Sequence, residues 1–279
     1  MCLFHRTGLQ KQELITGSKS RSAIEAARGL SLRERRYLLQ AVNSHPDYLN
    51  AVSPKARIKW GRMVCQELAD HFDLELDKPE PDQPMFLVTL CDRRCCTSHR
   101  DKNIDVSGFI RMLRRGLRGL SYVGMLEPAY YVNLCQGTHA YGKRMVSWHL
   151  HLIAWGEAQR KLAKRITRLN DEGILLPIAD GLPAADQRRI LNGNVAHRIG
   201  YVLKAPRKAY RLFKWELITT DGEVIDKFRQ KKSDFRPGER VTVLRLMLDM
   251  HLDQLAIAGG EGTDILRRIK RRALRYASN

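Results

Sequence analysis

Residues 148–153, Trp-His-Leu-His-Leu-Ile, alternate between histidines and apolar side chains. In a β-strand, alternate residues leave the same face, so His149 and His151 would lie on one side about 7 Å apart, with the apolar residues on the other. On a helix the two imidazoles would be about 200° apart and could not share a ligand. The alternation therefore predicts a strand with one face packed in the core and the other face carrying two ligands for a divalent metal. The pattern His-x-His is weak by itself, and two ordinary histidines also produce it.

A second segment, residues 198–206 (Arg-Ile-Gly-Tyr-Val-Leu-Lys-Ala-Pro), has helical character. On a helix Tyr201 and Lys204 share a face. A tyrosine hydroxyl, with an ordinary pKa of about 10, is a poor nucleophile unless a cation or metal favours its anion. Tyr-x-x-Lys also occurs in ordinary amphipathic helices. Tyr210 is a second candidate nucleophile, although a packing role explains it as well.

Two further segments precede these: Phe-Leu-Val-Thr-Leu at 86–90 and Gly-Met-Leu-Glu-Pro-Ala-Tyr at 124–130. In this order, the four segments resemble the motifs of rolling-circle replication initiators of the HUH endonuclease superfamily. The resemblance covers residues 84 to about 218. Cys91 departs from it, because a threonine is more usual there. Mobilisation relaxases of the same superfamily carry the tyrosine upstream of the histidines, so the order observed here favours initiators or single-tyrosine transposases.

The resemblance implies that His149 and His151 bind Mg²⁺ or Mn²⁺. Such an ion also prefers oxygen ligands, and Glu127 is the candidate, with a surface glutamate as the alternative. A hairpin folded about position 140 would set Glu127 near Leu152, and an error of one residue in that register would turn it to the other face.

The resemblance further implies that Tyr201 attacks the scissile phosphate of single-stranded DNA while Lys204 offsets the developing charge. The products are a 5′-phosphotyrosyl adduct and a free 3′-hydroxyl. His197 stands where some plasmid initiators have a glutamate that activates water for termination, so His197 is a candidate auxiliary base. The implied partners are single-stranded or hairpin origin DNA, a host helicase and a polymerase. The alternatives are a single-tyrosine transposase, with the same chemistry at element ends, and a non-catalytic nucleic-acid-binding protein.

Charge supports a nucleic-acid partner. Lys and Arg number 49 against 30 Asp and Glu, a formal net charge of +19, which a compact chain tolerates best against a polyanion. An anionic membrane is the weaker alternative, since no long basic amphipathic segment with an apolar aromatic face occurs. The basic residues are also compatible with ordinary solvated faces. The residues predicted to contact DNA are Arg111, Arg114, Arg115, Arg118, Arg207, Lys208, Arg267, Arg268 and Arg271.

Compartment and cofactors follow from what the sequence lacks. There is no apolar run of about 18 residues and no signal-peptide pattern, and the six cysteines have no framework spacing, so we expect a cytoplasmic protein with reduced thiols and no membrane association. The absence of a Gly-rich phosphate loop argues against a fused helicase. A zinc site is a minor alternative, with the ligands Cys91, Cys95, Cys96 and His99.

The expected fold is α+β: a central antiparallel sheet of about five strands, ferredoxin- or RRM-like, with helices on one face and the histidines and Tyr201 on the other. A Pro-rich stretch at 78–84 separates a helical N-terminal region (1–83) from the endonuclease domain (84–219), and a basic helical region (220–279) follows.

Local signals predict the boundaries of several elements. Ser22 caps a helix over 23–28, a Ser31–Glu34 capping box opens another, and Ser53 precedes a third. Residues 183–186 start a short helix, residues 220–238 form turns, and two tail helices span 239–257 and 262–277.

Overall fold

The computed structural model describes residues 3–73, 83–101, 103–134, 143–191, 194–221 and 223–275. The hairpin turn predicted about position 140 lies outside these ranges, as does almost all of the Pro-rich stretch at 78–84. Within them, no helix has the length and apolar character needed to cross a bilayer.

The described residues contain seven strands that form one sheet: β1 (Phe86–Ser98), β2 (Ser121–Leu134), β3 (Lys143–Trp155), β4 (Ala185–Arg189), β5 (Lys208–Ile218), β6 (Val224–Asp234) and β7 (Ala256–Gly259). Their order is β4-β1-β3-β2-β5-β6, with β7 also paired to β2. The prediction of about five strands is therefore wrong, and so is an all-antiparallel sheet, because β2 and β5 pair in parallel. The α+β class holds, while the ferredoxin-like arrangement stays a prediction.

Helices account for most of the remaining described chain. The Ser31–Glu34 capping box is present, and the Ser53 side chain accepts a hydrogen bond from the Ala56 N–H. Ser22, however, lies inside α2 and caps nothing, because that helix begins at Leu9. The helices are α1 (Leu3–Arg6), α2 (Leu9–Ala26), α3 (Leu32–Val42), α4 (Pro54–Phe72), α5 (Val106–Arg114), α6 (Gln159–Asp171), α7 (Val195–Leu203), α8 (Pro237–Met247), α9 (Leu252–Leu255) and α10 (Gly262–Arg275), with 3₁₀ turns at Pro46–Tyr48 and Arg115–Leu117.

Three predicted boundaries are wrong because tertiary pairing overrides local signals. The short helix predicted from residue 183 is instead the edge strand β4, which pairs with β1. Most of the predicted turn region 220–238 is β6, paired with β5 along its whole length. The first predicted tail helix ends at Met247, and β7 follows and pairs with β2. The C-terminal region is therefore not wholly helical.

Helices pack on both faces of the sheet, contrary to the prediction of one helical face. On one face, the ring of Phe109 from α5 lies 6.4 Å from that of Trp148. On the opposite face, the ring of Tyr201 from α7 lies 4.9 Å from that of His151. Because successive residues of β3 alternate between faces, the tyrosine helix covers the histidine face.

Candidate metal centre and tyrosine site

The histidine strand β3 lies between β1 and β2, so each histidine has two cross-strand partners. His149 pairs with Cys91 and with Glu127, and His151 pairs with Thr89 and Met125. Directly paired residues share a face of the sheet, which sets the Glu127 carboxylate beside both imidazoles. The predicted position near Leu152 is wrong by three residues, since Leu152 pairs with Gly124, but Glu127 lies beside the histidines as predicted.

The ligand atoms of Glu127, His149 and His151 all lie within 4.8 Å of one another. The two histidine Nε2 atoms are 3.0 Å apart, and a Glu127 carboxylate oxygen is 3.7 Å from His151 Nε2. That oxygen, Oε2, is buried and has no hydrogen-bond partner. A buried carboxylate oxygen without a hydrogen bond is costly unless a cation close by compensates it. The residues present therefore fit a divalent cation.

Hydrogen bonds to the outer ring nitrogens orient both imidazoles. His149 Nδ1 donates to the Ser147 carbonyl oxygen at 3.3 Å, and His151 Nδ1 lies 2.9 Å from the Thr89 hydroxyl oxygen. This leaves the two Nε2 atoms for a shared ligand. Burial lowers the pKa of His149, with Glu127 opposing, and lowers that of His151 further, helped by His149 and Lys204. Both rings are neutral at pH 7, the form that binds metals.

The tyrosine helix brings Tyr201 and Lys204 to the same site. The Lys204 ammonium lies 3.7 Å from the centre of the Tyr201 ring and 3.7 Å from Glu127 Oε2, and it donates to the Tyr201 carbonyl oxygen at 3.2 Å. Burial lowers the pKa of Lys204, with Glu127 opposing. Lys204 therefore links the carboxylate and the phenol ring electrostatically.

Tyr201 keeps its phenol proton in the protein alone, and the predicted role of Lys204 during attack stays a prediction. Burial raises the pKa of Tyr201, and Glu127 raises it further, while Arg188 and Arg198 oppose the shift. The hydroxyl is therefore protonated at neutral pH. Any nucleophilic role requires that the phenol lose its proton during the reaction.

Two buried charged residues from the N-terminal helices hold the end of α7. Glu13 Oε1 accepts the Ala205 N–H at 2.7 Å, and Arg57 Nη1 donates to the Leu203 carbonyl oxygen at 3.1 Å. Both side chains are almost fully buried. Sequence reasoning missed them, although a charged residue at an apolar helix position is the signal that marks such a role.

A cavity of about 250 Å³ opens beside Tyr201. Glu127 and His197 face it, as does Tyr210, whose ring stacks on Tyr131 at 5.1 Å. The cavity is rich in cations. The sequence did not identify Lys232 as one of them, because Lys232 lies in a segment predicted to form turns. Its basic lining residues are Lys204, Arg207, Lys208 and Lys232.

The predicted DNA-contacting residues fall into two groups. Arg207 and Lys208 line the cavity, whereas the others lie elsewhere. Arg114 donates to the Tyr122 hydroxyl and the Ala258 carbonyl oxygen, on the face opposite the histidines. In α10, Arg267 pairs with Asp264, and Arg268 pairs with Glu67 of α4. The remaining members are exposed and away from the cavity: Arg111, Arg115, Arg118 and Arg271.

The zinc alternative is not supported. Among the described residues, the metal-type cluster is the Glu127 group, and the cysteines do not form another. Cys91 Sγ lies 3.3 Å from the Ala184 carbonyl oxygen, Cys95 Sγ lies 3.8 Å from the Met112 sulfur, and His99 Nδ1 lies 3.0 Å from the Arg144 carbonyl oxygen. Burial raises the pKa of both Cys91 and Cys95 to about 12 and that of Cys96 to about 11, which keeps them as thiols.

Comparison with known proteins adds no relative: no family model matches the chain, and no curated protein or solved structure matches it. The function is therefore argued from the site.

Proposed function

We propose that this protein is an endonuclease and strand transferase that nicks single-stranded DNA through Tyr201, as a rolling-circle replication initiator does. The observation that carries the proposal is the convergence of Glu127, His149 and His151 within 4.8 Å of one another, with the Tyr201 ring against His151. These residues come from two strands and one helix, so closeness in sequence does not explain their meeting.

The cavity supports a phosphodiester as the substrate. Four cationic side chains line it beside a single carboxylate, Glu127. A cationic lining around a tyrosine stabilises a bound anion and the charge that builds on it during attack. A flexible single strand can bend its backbone into this cavity, whereas base pairing and stacking make a duplex stiff.

Glu127, His149 and His151 would hold Mg²⁺ or Mn²⁺. When bound, the ion supplies Lewis-acid polarisation of a phosphoryl oxygen. The chain's own residues perform the remaining steps. The Tyr201 oxygen forms a bond to phosphorus, the bond from phosphorus to the 3′-oxygen breaks, and the proton that Tyr201 loses is matched by the one that the 3′-oxygen gains. Lys204 lies where it can offset the added charge, and His197 lines the cavity as a base for a later hydrolytic step.

The products are a 5′-phosphotyrosyl protein and a free 3′-hydroxyl. A polymerase can extend that hydroxyl, which is why a host polymerase and helicase are the expected partners. The reverse reaction rejoins strands.

The test uses a single-stranded oligonucleotide pool of random sequence, labelled at the 3′ end, incubated with the protein and Mn²⁺. A labelled covalent adduct on a denaturing gel is the expected result. Tyr201→Phe should abolish the adduct while DNA affinity stays nearly unchanged. Tyr210→Phe is the matched control, because Tyr210 lines the same cavity. If Tyr201→Phe still forms the adduct and Tyr210→Phe does not, the assignment of the nucleophile is wrong.

A further inference from the structure

Strands β5 and β6 extend from the sheet as a two-stranded ribbon. Among the described residues, β5 pairs with β2 at Ala209 and Tyr210, whereas its pairing with β6 continues to Ile218. β6 is the last strand of the sheet order. The Asn133 side chain of β2 also hydrogen-bonds the N–H and carbonyl oxygen of Leu212. At about 3.3 Å per residue, the part of β5 from Leu212 to Ile218 extends about 20 Å from that contact.

The two faces of the ribbon differ in charge. Directly paired residues share a face, and one face, which we call the cationic face, carries four cations and no carboxylate. The opposite face mixes signs, for example in the ion pair of Lys208 with Asp234. The cationic face consists of Arg211, Phe213, Trp215 and Leu217 of β5, and Ile225, Lys227, Arg229 and Lys231 of β6.

Aromatic rings lie among these cations. The Arg229 guanidinium stacks over the Trp215 ring at 4.3 Å, and Phe213 is 46% exposed. Arg211, Arg229 and Lys231 are exposed. Cations at intervals along an exposed strand pair match the spacing of a phosphate backbone, and the major groove of B-DNA admits a two-stranded ribbon.

We propose that the cationic face docks duplex DNA, such as the stem of a hairpin, beside the cavity that takes the single strand. Lys231 on this face adjoins Lys232, which lines the cavity at the base of the ribbon. DNA that crosses the β6 edge can therefore contact both. The inference rests on the proposed function for what happens in the cavity, while duplex binding by the ribbon is separable from it.

Two other occupants fit the surface less well. If a second copy of the chain docked with the same face, its four cations would repel the four cations of the first. An anionic membrane would match the exposed apolar residues at the tip, Ile218 and Val224, but the cations extend along the ribbon to its base instead of gathering at the tip. Duplex DNA uses the whole cationic face.

The experiment measures the affinity of the full chain, without metal, for a fluorescent 20-base-pair hairpin and for a 30-nucleotide oligothymidine. The test variant is Arg211→Gln/Arg229→Gln/Lys231→Gln. The control variant Arg160→Gln/Lys161→Gln/Lys164→Gln removes the same charge from exposed positions of α6. The test variant should weaken hairpin binding about tenfold or more and reduce its log–log salt slope by about 2.7, since each phosphate contact contributes about 0.9. Oligothymidine binding and the control should change much less.

Tryptophan fluorescence provides a second measurement. Trp60, Trp148 and Trp155 are fully buried, so quenching by acrylamide reports mainly Trp215. Hairpin DNA should protect the wild type from quenching, and Trp215→Phe should remove the protected signal.

Equal losses for test and control variants, or equal losses for hairpin and oligothymidine, would overturn the proposal. So would charge-dependent binding to phosphatidylserine vesicles with no effect on hairpin affinity. Failure of the tyrosine test with intact hairpin binding would reject only the proposed cleavage, so the two hypotheses fail separately.

Discussion

The Nε2 atoms of His149 and His151 lie 3.0 Å apart, while the Nδ1 atom of each ring is hydrogen-bonded away from that space. The strand alternation of β3 creates this arrangement and its neighbours hold it in place. Ser147 fixes one ring from within β3, and Thr89 fixes the other from β1. The site is therefore built into the centre of the sheet, where little side-chain entropy remains to be lost when a ligand binds.

Glu127→Gln is expected to weaken Mn²⁺ binding by at least about tenfold, because the change keeps the shape of the side chain but removes the charge that compensates a cation. Titration calorimetry of the purified protein measures this directly. Glu172→Gln is the control, since Glu172 is an exposed residue paired with Arg168 on α6. Equal affinity in the wild type and Glu127→Gln would remove Glu127 from the site.

In the presence of a chelator, stability is expected to fall as the pH drops below about 6.5. The folded protein holds both histidines with lowered pKa values, so in this range the unfolded chain binds protons that the folded chain does not. Stability then rises with pH, by up to about 2.7 kcal/mol per unit for two such groups. Urea denaturation between pH 5 and 7 measures the slope. His149→Gln/His151→Gln should flatten it, and an unchanged slope would contradict the inferred neutral pair.

The rate of adduct formation should depend on pH through Tyr201 and Lys204. The reactive form has a Tyr201 phenolate and a Lys204 ammonium, so its share of the protein rises and then falls with pH. The raised pKa of Tyr201 and the lowered pKa of Lys204 keep that share small. A bell-shaped single-turnover profile is expected. Lys204→Arg should retain the rising limb and lose the falling one, because a guanidinium stays protonated. A profile identical in the variant would show that Lys204 does not titrate in the reaction.

How much of the site the sequence predicts depends on how local each signal is. The shared face of His149 and His151 follows from strand alternation, which acts over three residues. The register of Glu127 depends on how β2 and β3 pair, and the predicted position was wrong by three residues because the length of the segment between the two strands does not fix that pairing. The hydrogen bonds from Glu13 and Arg57 to the end of α7 join residues far apart in sequence, and no sequence motif marks them.

The sequence did not predict strands β4, β6 and β7, and the physical reasons are similar. β4 and β6 are edge strands with polar residues on both faces, so they lack the hydrophobic alternation by which a strand is recognised. β7 is only four residues long and ends at Gly259, which is followed by Gly260. In each case, backbone pairing with a neighbouring strand provides the stabilisation that side-chain pattern does not reveal. In the basic tail, Arg268 and Arg272 pair with Glu67 of α4, an ion-pair role that no local pattern indicates. DNA contact by the tail stays a prediction.

Gly200→Ala should destabilise the protein and slow adduct formation together. A Cβ at this position would lie 2.8 Å from the Thr7 carbonyl oxygen, a backbone atom that cannot move without shifting the turn between α1 and α2. Alanine normally stabilises a helix by about 0.5–1 kcal/mol over glycine, but overpacking costs about 1–3 kcal/mol.

Gly238 in α8 is the matched control, because a Cβ there meets nothing within 4 Å. We therefore expect Gly238→Ala to be neutral or stabilising in urea denaturation, and Gly200→Ala to be destabilising. Because Tyr201 follows Gly200 directly, a displaced α7 should also reduce the adduct rate at saturating DNA. A stable Gly200→Ala variant with the wild-type rate would show that close contact between α7 and the Thr7 turn does not position the tyrosine.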